Sequence, residues 1–117
     1  MNKIAQHYSH MRIQTAGLQK LICMIHEKSL FYIRKGLSEG KKSDLERAQN
    51  LIYQLELAID RKDDCSSLLA QLYAHCYHLL DTCRKADIDQ ARILMEELRG
   101  AFEQLFREGR KLNNSAT

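Results

Sequence analysis

Apolar residues in this chain recur in alternating steps of three and four, and that spacing constrains its fold more than any other feature. Leu45, Ala48, Ile52, Leu55 and Ile59 form one series, and Ile88, Ala91, Met95, Leu98, Phe102 and Leu105 form another. A third runs Leu69, Leu72, Cys76, Leu79 and Cys83, with a looser set, Leu18, Leu21, Ile22, Ile25 and Ile33, upstream. A mean step of ~3.5 residues keeps side chains on one stripe of an α-helix, whereas a strand has a period of two. Proline is absent from the 117 residues and glycine occurs five times, too few to punctuate a many-turned β fold. Hydrophobic residues at 44% suffice for a core and charged residues at 28% for a surface. The expected class is all-α.

Local signals divide the chain into four helices. The first is expected from about residue 16 to 36, with Thr15 as N-cap and Gly36, Ser38 and Gly40 closing it. The second opens at Ser43-Asp44-Leu45-Glu46, which has the S-x-x-E form of a capping box, and ends before a polar turn at Arg61-Lys62-Asp63-Asp64. The third is expected from residue 66 to about 85. The fourth opens at Asp87-Ile88-Asp89-Gln90, where an acid suits the helix dipole, and stops near Gly109. Short polar turns between amphipathic helices predict an antiparallel up-down four-helix bundle. The whole of 1–117 reads as one domain: a bundle over 16–109, a tail over 110–117, and a short N-terminal arm or cap helix over 1–14. Ile4, Tyr8, Met11 and Ile13 of the arm are expected to dock on the bundle.

Chemistry-bearing patterns are sparse. The longest apolar run, Leu21 to Ile25, falls far short of the ~20 residues that span a bilayer, and residues 1–8 contain no secretory signal. A cytoplasmic protein without membrane insertion is expected. The four cysteines form no C-x-x-C pair and read as reduced thiols, with Cys76 and Cys83 buried on the third seam. His75 and His78 lie one helical turn apart around Cys76, but a cysteine facing the core cannot join them on one ion, so no metal or other cofactor is expected. No glycine-rich phosphate loop occurs, and no nucleophile has a companion base. Glu96-Glu97 reads as a solvated face, and no enzyme is expected. A helical-bundle signalling or phosphotransfer-like regulatory protein is the alternative function. Phosphotransfer domains carry His, then Lys three residues later, then Gly, which neither His26-Glu27-Lys28-Ser29 nor His75-Cys76-Tyr77-His78 reproduces.

Net charge is only +3, without the dense basic patch of a nucleic-acid binder. It is divided unevenly, +6 over residues 1–42 and −3 over 43–117. Either a basic first helix packs on acidic neighbours or a basic surface steers an acidic partner. A bundle helix needs about three apolar positions per heptad for its core. The third helix exceeds that with Leu68, Tyr73, Tyr77 and Leu80, the second with Leu51, Tyr53, Leu57 and Ala58. Such a surplus widens the core, drives a homodimer, or lines a groove for an amphipathic helix of another protein.

Taken in order, these residues resemble the flagellar secretion chaperones of the FliS type across nearly the whole chain. Tyr8 stands ahead of Thr15-Ala16, as a Tyr in a short arm precedes Thr/Ser-Ala in that family. Leu21-Ile22-Cys23-Met24-Ile25-His26-Glu27 follows its Leu-x-x-Met/Leu-Leu-Tyr-Asp stretch, with His26 where Tyr is common. Arg47-Ala48-Gln49-Asn50-Leu51-Ile52-Tyr53-Gln54-Leu55 is similar to its Lys-Ala-Gln-Asn-Ile-Ile-x-x-Leu core. Leu68 to Tyr73 follows Leu-x-x-Leu-Tyr, and Leu98-Arg99-Gly100-Ala101-Phe102 follows Leu-Arg-x-Ala-Trp with Phe for Trp. Gly17-Leu18 replaces a Ser-Pro. The resemblance implies a chaperone that holds the C-terminal segment of flagellin in the cytoplasm, prevents its premature polymerisation and supports delivery to a component of the type III export gate. It further implies Ile4, Tyr8 and Ile13 as a movable plug and Leu51, Leu55, Tyr73, Tyr77 and Leu80 as groove lining.

Overall fold

The computed structural model describes residues 16–61 and 63–115, built as four helices: α1 (Ala16–Glu39), α2 (Lys42–Leu57), α3 (Asp64–Asp81) and α4 (Lys85–Ser115). The described residues contain no strand. Ile4, Tyr8, Met11, Ile13 and Thr15 lie outside them, as does the side chain of Leu18.

Helices α1 and α3 each pack on both α2 and α4, while the two diagonal pairs make no close backbone approach, α1 and α3 touching through the side chains of His26 and Tyr73. The result is a ring in which chain neighbours are also spatial neighbours. Connections of two, six and three residues make successive helices run antiparallel. The 31 residues of α4, at ~1.5 Å each, account for most of the 50 Å long axis.

Helix ends depart from the expected punctuation in instructive ways. Gly40 adopts a φ of +69°, and its N–H donates to the Gly36 carbonyl at 2.9 Å, so α1 runs on to Glu39. Gly36 is instead an interior glycine where α2 crosses closely, since a Cβ there would collide with the Leu45 side chain. At α2 the N-cap is Lys41 and makes no side-chain bond, so Ser43 and Glu46 form no capping box; both are exposed. The buried first-turn residue is Asp44, 4.0 Å from Lys35 Nζ. A capping box does exist at α3, where Asp63 Oδ1 accepts from Ser66 N–H at 2.8 Å and the Asp63 N–H donates to Ser66 Oγ at 3.2 Å. The polar turn therefore ends at Asp63, one residue earlier than expected, and Asp64 already belongs to the helix. Asp87 lies inside the first turn of α4 and accepts from Thr82 Oγ1 at 2.7 Å and Arg84 Nε at 3.0 Å. Gly109 does not stop α4, which reaches Ser115 in the region read as a tail.

The seams of α2 and α4 are buried as expected, from Leu45 to Ile59 and from Ile88 to Leu105, with Phe106 added. Those of α1 and α3 are buried only in part, at Ile22 and Ile33 and at Leu69 and Cys76. Leu21 is exposed while Ile22, Leu30 and Ile33 fill the core with His26 and Ser29. On α3 the buried set is Leu69, Ala70, Tyr73, Cys76 and Leu80, whereas Leu72 and Leu79 are only partly covered. Cys83 falls beyond the end of α3, exposed and with a φ of +58°.

That placement separates two thiols expected to behave alike. Burial pushes the Cys76 thiol up to about 12, leaving almost no thiolate at neutral pH. Iodoacetamide under native conditions should therefore label Cys83 at a rate typical of an exposed thiol and Cys76 only on unfolding. Equal rates for the two, read by peptide mass spectrometry, would contradict the packing of α3.

Candidate partner-binding groove

Helices α2 and α3 pack on each other, with Ile52, Leu55, Leu69 and Tyr73 buried in the core, and residues outside these seams line a groove. Asn50, Tyr53 and Glu56 line it from α2, and Ala74, Tyr77 and His78 from α3, around a volume of about 350 Å³. The two tyrosine rings stand 6.4 Å apart at 59°, and Tyr77 meets the His78 ring edge-on at 5.8 Å. Leu57, one turn beyond Tyr53, extends the apolar surface of α2 with two-thirds of its area exposed. Gln49 pins one end of the groove: its Nε2 donates to the Tyr77 carbonyl at 3.1 Å and to Asp81 Oδ1 at 3.3 Å. The Glu56 carboxylate accepts from Arg61 at 2.9 Å, and no lysine or arginine is among the lining residues. The groove is thus aromatic and almost uncharged, suited to apolar and amide-bearing side chains.

Behind it lies a buried polar pair. His26 Nδ1 is 2.9 Å from the Ile22 carbonyl and Nε2 is 2.8 Å from the Tyr73 hydroxyl. A carbonyl only accepts, so Nδ1 carries the proton and Nε2 takes the hydroxyl proton of Tyr73. The ring also rests on Phe102, centroids 4.8 Å apart. Burial, with a contribution from Arg99, lowers the His26 pKa to about 4, so the ring is neutral at pH 7. Both ring nitrogens are occupied and the side chain is fully covered, an arrangement that presents no site for phosphoryl transfer.

Among the described residues that were expected to bind a partner, only Tyr77 lines the groove. Leu55, Tyr73 and Leu80 are core residues at 5%, 0% and 1% exposure, because α3 turns its 69–73–76–80 stripe inward. Leu51 is half-buried and does not line the groove, and Ile4, Tyr8 and Ile13 lie outside the described residues. Tyr53 was visible in sequence as surplus apolar surface; Asn50, Glu56, Ala74 and His78 carry no signal that separates them from ordinary surface residues. His75 and His78 are exposed, and no group of three or more His, Cys, Asp or Glu side chains among the described residues is placed to hold a metal ion. No helix of the described residues is long and apolar enough to cross a membrane.

Part of the uneven charge is taken up by an exposed ion pair between α1 and α4. Arg34 of α1 reaches Glu96 of α4 at 2.9 Å, and Arg92 holds both Glu96, at 3.1 Å, and Asp89, at 2.9 Å. A family model described as flagellar protein FliS matches residues 1–109 of the chain. No curated protein and no solved structure gives a significant match.

Proposed function

The chain belongs to the FliS family of flagellar proteins, and from that premise we propose that it is a cytoplasmic export chaperone for flagellin. It holds the C-terminal segment of flagellin, keeps that segment from polymerising early and supports its delivery to the type III export apparatus. The family match across residues 1–109 is the observation that carries this reading. The groove between α2 and α3 supports it: an open aromatic surface free of cations suits an apolar, weakly charged segment that folds as it binds. A volume of about 350 Å³ holds only a few large side chains, so the groove is one anchor for a segment that wraps further. Ile4, Tyr8 and Ile13 act in this reading as a plug that competes with the cargo, and Tyr8→Ala raises cargo affinity.

Isothermal titration with a peptide of the C-terminal flagellin segment tests the proposal. Saturable binding with a negative heat-capacity change is expected. Tyr77→Glu should weaken it at least tenfold, because a carboxylate buried by the incoming helix has no cation to meet. If the unaltered protein does not bind the flagellin of its own organism, the assignment fails.

A further inference from the structure

Large exposed apolar side chains are not confined to the groove. Leu21, Met24 and Phe31 of α1 are 50%, 43% and 57% exposed. Leu21 and Met24 fall one turn apart on the outward side of the helix and Phe31 two turns further on, with Lys28 filling the turn between Met24 and Phe31. Phe31 continues sideways into Tyr32, the rings edge-to-face at 5.3 Å, and the Tyr32 ring is covered by Arg47 of α2 at 5.6 Å. The resulting stripe is ~15 Å long, about three helical turns.

Its border is cationic. Arg34 and Lys35 of the same helix are engaged by Glu96 and Asp44, but Lys20 and Lys28, both exposed, have no ion-pair partner among the described residues. Glu27, the one acid between them in sequence, makes no ion pair with either lysine. The stripe therefore presents three apolar anchors flanked by uncompensated positive charge, unlike the cation-free groove.

We propose that the outward face of α1 is a second docking surface, for an acidic amphipathic helix of another protein. Anchors at i, i+3 and i+10 match the apolar face of a helix lying alongside, and its flanking carboxylates would meet Lys20 and Lys28. Two free lysines fall short of the cluster of about four to eight that reads an anionic membrane. A second copy docking α1 on α1 would bring the same lysines together, which disfavours it. This surface is separate from the flagellin reading and does not depend on it.

The probe is a labelled 18-residue designed helix with leucines at i, i+3 and i+10 and glutamates beside them, compared with a lysine-flanked counterpart. Fluorescence anisotropy should show saturable binding of the acidic helix alone, weakened at least tenfold by Phe31→Ser and by Lys28→Glu, with Lys28→Glu gaining affinity for the lysine-flanked helix. Titration of the flagellin peptide should be unchanged in both variants, which keeps the two surfaces distinguishable. Four results would overturn the proposal: equal binding of both designed helices, indifference to Phe31→Ser, Phe31-dependent co-sedimentation with phosphatidylserine vesicles, or a dimer in sedimentation that Phe31→Ser dissociates.

Discussion

Leu80→Glu is expected to unfold the bundle, whereas Tyr77→Glu, three residues earlier on the same helix, leaves it folded. Leu80 is 1% exposed and surrounded by core side chains, so a carboxylate there loses its hydration without gaining a cation or donor. The substitution also removes a buried leucine, worth ~2–5 kcal/mol in comparable large-to-small changes. Together these reach the ~5–15 kcal/mol that stabilises a typical domain. Tyr77 has part of its surface in water, and a carboxylate at the groove mouth keeps its hydration in the free protein. Thermal melts by circular dichroism should show loss of the cooperative transition for Leu80→Glu and a shift of only a few degrees for Tyr77→Glu. Two equally mild variants would mean that α3 is rotated from the orientation described.

Acid should destabilise the protein through His26. The folded-state pKa of about 4 lies below the ordinary 6.5, because burial excludes the charged ring. Between those values the unfolded chain binds a proton that the folded chain refuses, so stability rises with pH across the window. The contribution is complete above about pH 6.5 and is lost as pH falls towards 4. At ~1.4 kcal/mol per pKa unit the loss is roughly 3 kcal/mol. Urea denaturation at pH 7 and pH 4.5 should show it in the unaltered protein. His26→Phe should start from lower stability, since Tyr73 loses its acceptor, yet lose less on acidification. Parallel losses in the two proteins would assign acid sensitivity to the carboxylates instead.

Where each helix carried a single apolar series, sequence alone located the core. On α2 and α4 the seam residues are flanked by charges such as Glu46, Arg47, Glu96 and Glu97, so only one face can turn inward. On α3 the doublets Leu68-Leu69, Leu72-Tyr73 and Leu79-Leu80 create two interleaved series of equal hydrophobicity. Which one is buried depends on where α2 and α4 lie, and that information is tertiary. The same ambiguity at Leu21-Ile22 hid the outward stripe of α1. The groove was legible only in part, at Tyr77 and as surplus at Tyr53, because it is the space left by two diverging helices rather than a motif. The pairing of His26 with Tyr73, 47 residues away, has no local signature at all.

The ring arrangement also sets when this protein can exist. Because α4 returns to pack on α1, the first described helix is not enclosed until the last one has been made. Throughout synthesis of the 31 residues of α4, which takes roughly two to six seconds at ~5–20 residues per second, three helices hold half a core open to the cell. His26 waits without the Phe102 ring that rests on it in the finished bundle. A ribosome stalled before Phe102 would carry a chain with helices but no finished interior, and a truncated product released there would be a target for proteases rather than a smaller working version.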